Sequence, residues 1–166
     1  SSFMLDPARV EALAQRESPG SRAPEGFQGR FGMDFSKLQI AFFADSKNRM
    51  LGLMSMRIDE NLELTHDQVL AQMEEGMANS DQERSSRKKV LKKDEYEATS
   101  QGQRLAGLRR LIEDDGERKW EYVVFGKCPS RAQTVLLIIG HSPEADTSDD
   151  FVRSYVETVK MLPWAE

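Results

Sequence analysis

Residues 118–141 read Arg-Lys-Trp-Glu-Tyr-Val-Val-Phe-Gly-Lys-Cys-Pro-Ser-Arg-Ala-Gln-Thr-Val-Leu-Leu-Ile-Ile-Gly-His. Two consecutive strands lie in this stretch, joined by a short turn. The second, Val135 to Ile139, is apolar at every position. A strand turns successive side chains to opposite faces, so an unbroken apolar run has to be covered on both sides. The pattern predicts a central strand with something packed over each face.

Working outward, Asp115-Gly116 is a two-residue hairpin signal between strands over 104–114 and 117–127. Leu105, Leu108, Leu111 and Ile112 supply the apolar side of the first of these. Residues 84–98 are strongly charged and predict a long, exposed edge strand, whose lysines discourage pairing with another chain. Nearer the start, Phe27, Phe31, Met33 and Phe35 share one parity, and Leu38, Ile40 and Phe42 share the next. Asp45-Ser46-Lys47-Asn48 is a turn, and Met50, Met54, Met56 and Ile58 line one face of the strand after it. Residues 36–58 therefore read as a hairpin.

Thr65-His66-Asp67-Gln68 is a capping box, followed by Val69, Leu70, Met73 and Met77 at helical spacing. This predicts an amphipathic helix over 66–79. Thr147 or Ser148 is placed to cap a last helix, with Phe151, Val152, Tyr155, Val156, Val159 and Met161 on its apolar side. Asp6-Pro7 starts a short N-terminal helix carrying Val10, Leu13 and Ala14. The Pro/Gly-rich residues 17–26 form a linker. The expected organisation is a short helix and linker over 1–26, reading as an arm, then a single α+β domain over 27–166. The expected architecture is a central antiparallel sheet of about six strands with helices on both faces.

That element order, a hairpin, a capped helix, an antiparallel meander closed by an apolar strand and a terminal helix, resembles the PsbP-like superfamily over about residues 27–162. The superfamily includes the extrinsic subunit of plant photosystem II, a nuclear import factor that binds the small GTPase Ran, and bacterial envelope proteins. The resemblance is one of order and patterning, without signature residues. It implies α/β/α layers and a binding or assembly role without catalysis.

The chain has 166 residues and a formal net charge of −5, which argues against a general nucleic-acid binder. Its one cysteine rules out an intramolecular disulfide. No run approaches the roughly 20 apolar residues of a membrane-spanning helix. The opening Ser-Ser-Phe-Met-Leu-Asp-Pro reads as a trimmed start, which fits a signal or anchor upstream and a periplasmic or other extracytoplasmic address, a cytoplasmic one staying open.

Candidate chemistry is sparse. Cys128 and His141 fall at strand ends that a short turn keeps apart, whereas a nucleophile pair needs hydrogen-bond contact. His66 sits at a helix start. Two histidines and one cysteine, widely spaced, do not assemble a metal set. The glycines form no phosphate loop, and no cofactor is expected.

Two surfaces stand out. Arg87, Lys88, Lys89, Lys92 and Lys93 form the one clear basic run, suited to an anionic surface; lipid headgroups fit better than nucleic acid, because no aromatic residues interleave the cations. Met54, Met56, Met73 and Met77 are core filler, or the lining of an apolar pocket between helix 66–79 and the sheet, because flexible methionines adapt to varied apolar partners. Trp120, Tyr122 and Trp164 are candidates for its rim. The leading expectation is a non-catalytic binding or accessory domain of a bacterial envelope protein that recognises a protein partner or an anionic membrane surface. The alternatives are a carrier of a small apolar ligand in the Met-lined cavity, and an enzyme with an uncommon carboxylate or cysteine site.

Overall fold

A computed structural model of the chain describes residues 2–58, 65–84 and 88–164, the side chains of 77–84 excepted. In chain order the elements are β1 (Ser2–Met4), α1 (Pro7–Glu17), β2 (Gln28–Asp34), β3 (Leu38–Ala44), β4 (Met50–Arg57), α2 (His66–Arg84), β5 (Lys88–Ser100), β6 (Gln103–Asp114), β7 (Glu117–Lys127), β8 (Thr134–Pro143) and α3 (Asp150–Thr158). The strands form one eight-stranded sheet in the order β1-β2-β3-β4-β8-β7-β6-β5. Every neighbouring pair is antiparallel.

The expected α/β/α stack of about six strands is overturned. The sheet has eight strands, and the three helices do not form two covering layers. α1 and α3 share one face, where Val10, Leu13, Phe151, Val152, Tyr155 and Val156 pack on Leu51, Leu53, Tyr122, Val124, Leu136 and Ile138. On the other face, among the described residues, α2 packs through Val69, Leu70 and Met73 against Val123, Phe125, Val135 and Leu137. Width is the reason. Seven inter-strand gaps of about 4.8 Å make a sheet about 33 Å across, and one helix is only about 10 Å thick.

β8 sits between β4 and β7 near the middle of the sheet, and Val135, Leu136, Leu137 and Ile138 are all buried. Its continuous apolar run is thus covered from both sides. Asp115 and Gly116 take φ of 56° and 85°, the left-handed pair that a tight hairpin between β6 and β7 requires. Asp45 Oδ1 accepts from the backbone N–H groups of Lys47 and Arg49, closing the β3–β4 turn. β5 is an edge strand, as expected, and β1 forms the other edge.

The helix at the start is capped by Asp6, which accepts from the Ala8 amide. It does not stand off as an arm. Val10, Leu13 and Ala14 join the main core, and β1 extends the sheet beyond β2. Three residues are too few for strand periodicity to show in sequence, so β1 goes unseen there. The last helix begins one or two residues later than a cap at Ser148 or Thr147 would set it, with Asp149 at its N-cap position. Beyond it, Leu162 exchanges backbone bonds with Lys127, and the chain crosses the end of the sheet. Met161 is left in the main core and Trp164 on the α2 face.

Candidate functional site

Parity along β4, β8 and β7 decides what faces α2. Met50, Gly52, Met54 and Met56 on β4 stand opposite His141, Ile139, Leu137 and Val135 on β8. These in turn stand beside Glu121, Val123, Phe125 and Lys127 on β7. One side of α2 supplies Val69, Gln72, Met73 and Gly76. Between these helix side chains and those of the sheet lies an unfilled space.

That space is a cavity of about 800 Å³. Met33, Ile40, Phe42, Met54, Ile139 and Leu137 are among the side chains that make its apolar floor. Gly52 is part of how the floor is built: a Cβ there would stand 2.6 Å from Phe42 Cε1, so the missing side chain lets the ring lie against β4. The size falls within the range of small-molecule and cofactor pockets.

One end of the cavity is charged. Glu121 on β7 stands between Arg110 on β6 and His141 on β8 in a single cross-strand row. Arg110 donates from Nε to Glu121 Oε1 at 2.7 Å, and His141 Nε2 lies 3.0 Å from Glu121 Oε2. Burial pushes the Glu121 carboxyl up, but the bond and charge of His141 and the charge of Arg110 outweigh it and hold the group at about 2. Lys119 and Lys88 line the same end. Lys119 has no hydrogen-bond or ion-pair partner among the described residues.

The structure brings together Met54, Met56 and Met73 around this one cavity; the side chain of Met77 lies outside the described residues. Trp120 and Tyr122 do not rim it, since they pack with the core on the opposite face. Trp164 is on the α2 face, beside Val69 and Phe125. His66 stacks on Phe125 with ring centroids 5.3 Å apart.

The basic run is split rather than gathered. Lys93 and Lys88 stand opposite Arg110 and Asp114, on the α2 face, while Lys89 and Lys92 stand opposite Glu113 and Leu111, on the other. Lys93 pairs with Glu74 at 2.7 Å and Lys92 with Asp94 at 3.6 Å. Arg87 lies outside the described residues. Alternation along β5 thus scatters what looks like a patch in one dimension.

Cys128 and His141 are not joined: the thiol contacts Ser130 at 3.4 Å, and His141 engages Glu121. Among the described residues no three His, Cys, Asp or Glu side chains converge as a metal set, and no helix is long and apolar enough to cross a membrane. A second depression, of about 690 Å³, is bordered by Arg16, Glu17, Asp34 and Arg131. There Arg16 pairs with Asp34 at 2.8 Å and Arg131 with Glu17 at 2.7 Å, so its main charges neutralise one another.

The Arg110–Glu121–His141 row and Lys119 escape the sequence reading. Their signal was present, however: Lys119 and Glu121 share the parity of Val123 and Phe125 on β7, so two charged side chains lie on one face with two buried apolar ones.

No protein-family model matches the chain. No curated protein matches it either. Among solved structures, the crystal structure of LpqN, involved in cell envelope biogenesis of Mycobacterium tuberculosis, aligns over 87% of this chain and 86% of that one, at 15% identity and a TM-score of 0.44. A likeness of that size carries nothing further about this chain.

Proposed function

We propose that this protein is a non-catalytic carrier that shelters a small, largely apolar molecule between α2 and the sheet. The observation that carries the reading is the cavity of about 800 Å³ with its floor of methionine, phenylalanine, isoleucine and leucine side chains. An apolar hollow of that volume is costly to leave facing water and is the usual form of a small-molecule site. Methionine suits it, because a flexible thioether adapts to guests of differing shape. The basic run offers less for docking on an anionic membrane, since its described lysines are divided between two faces and partly paired. An extracytoplasmic setting belongs to the proposal: an apolar molecule crossing an aqueous gap between membranes needs such a shelter.

Native mass spectrometry of the purified protein, beside the same sample denatured, is the direct test. The expected result is either a retained adduct released on denaturation, or one-to-one uptake of an added neutral long-chain probe, which also displaces a bound apolar dye and so reverses the dye's blue-shifted emission. Absence of both an adduct and any probe uptake overturns the proposal.

A further inference from the structure

Resting on the carrier reading, the geometry points to the class of guest: an amphipathic molecule with a long apolar body and one anionic head, the head lying beside Lys119 at the charged end of the cavity. Three cationic side chains, Lys88, Arg110 and Lys119, line this end, against one carboxylate, Glu121. Glu121 is already committed on both oxygens, to Arg110 and His141. Asp114 stands opposite Lys88 on the neighbouring strand, and Glu74 answers Lys93 just outside the lining. Lys119 is therefore the cation left without a partner among the described residues. It is half-buried, on the same face of β7 as Glu121 and two residues before it. That places it about 7 Å along the strand from the Arg110–Glu121–His141 row.

A half-buried ammonium on the rim of an apolar cavity is poorly solvated, and an anion brought to it gains a charge-assisted hydrogen bond at little further desolvation cost. From Lys119 the floor continues over His141, Ile139, Leu137 and Val135 on β8, with Met54 and Met56 alongside on β4. The run from His141 to Val135 is about 20 Å long. Head and tail thus have separate, contiguous seats. A carboxylate and a phosphate head share the chemistry Lys119 offers.

The test compares dodecanoate, dodecyl phosphate and the neutral methyl dodecanoate by calorimetric titration of the whole protein. At least one anion is expected to bind roughly tenfold tighter than the ester, and whichever anion leads names the head. Lys119→Gln is expected to reduce that anion's affinity by roughly tenfold and to leave the ester unchanged. Raising the salt concentration moves affinity the same way. Lys89→Gln, on the opposite face of β5, leaves all three ligands unaffected. If the ester binds as tightly as both anions, or Lys119→Gln weakens all three alike, the anionic-head inference is overturned and the carrier reading stands. If none of the three binds, the carrier reading falls with it.

Discussion

Arg110 and Glu121 meet at 2.6 Å at the charged end of the cavity, with side chains only 8% and 10% exposed. A buried pair of this kind adds little net stability, because taking both ions out of water costs nearly as much as their attraction returns. Removing one partner is another matter. Glu121→Gln leaves the guanidinium buried against a neutral amide and is expected to lower unfolding free energy by about 3 kcal/mol. Replacing Arg110, Glu121 and His141 together with leucine is expected to recover most of that loss, since no buried charge remains. Urea denaturation of the two variants checks both outcomes.

The same carboxylate sets an acid limit. Glu121 is held at about 2 in the folded protein, against an ordinary value of 4.5. A folded value below the unfolded one means stabilisation that is fully present above about pH 4.5 and is lost as pH falls through about 2. The loss amounts to roughly 3 kcal/mol. Glu17, Asp34 and Asp45 are also held low by their arginine partners, against the opposing effect of burial, and add to the acid sensitivity. The comparison that isolates Glu121 is therefore native protein against Glu121→Gln, denatured at a series of pH values between about 6 and 2. The gap between their stabilities is expected to close as pH falls.

The sheet's middle was legible in sequence because β8 is apolar on both parities, and the hairpin because Asp115 and Gly116 have the residue types that tolerate positive φ. The count of strands was not, since β1 contributes three residues and no period. Met54, Met56 and Met73 could be placed on one face each from local spacing alone. The charged end could not. Arg110, Glu121 and His141 lie on three strands, and only the cross-strand register puts them in one row. The same register divides Lys88 and Lys93 from Lys89 and Lys92, which sequence proximity makes look like one patch.

Gly107 is where β6 begins to pair with β7. A Cβ there would stand 1.9 Å from the Val123 carbonyl oxygen. That neighbour is backbone within the ladder and has no rotamer by which to withdraw. Gly107→Ala is expected to cost about 3 kcal/mol or more. Gly76 on α2 is the contrast: nothing lies within 4 Å of its added Cβ. Gly76→Ala is expected to raise stability by about 0.5–1 kcal/mol through helix propensity. Thermal midpoints of the two variants should therefore move in opposite directions.

Tyr96 on β5 donates its hydroxyl to Asp149 Oδ2 at 2.6 Å, tying the edge strand to the start of α3. Asp149 occupies the N-cap position but makes no side-chain cap bond. It accepts instead from Tyr96 and from Arg153 Nε at 2.8 Å. Burial, then the bond to Asp149, push the Tyr96 hydroxyl well above the ordinary tyrosine range. Tyr96→Phe keeps the ring against Tyr122 and beneath Arg153 and deletes only this bond. The expected loss is about 1.5 kcal/mol, and hydrogen exchange at the end of β5 and the first turn of α3 should quicken together.

Met54 stands between Ile40 and Leu137 in the cross-strand register, on the cavity floor. Met54→Trp adds bulk into open space rather than into packed core, so the usual overpacking penalty is largely avoided. Stability is expected to change by less than about 1 kcal/mol. Uptake of a long-chain probe is expected to weaken by tenfold or more, roughly 1.4 kcal/mol at least, because the indole takes the volume the guest needs. Met56, 38% exposed at the margin, should tolerate the same change with a smaller loss. A Met54→Trp protein that still takes up the probe at native affinity would place the guest elsewhere and remove the main support for a carrier.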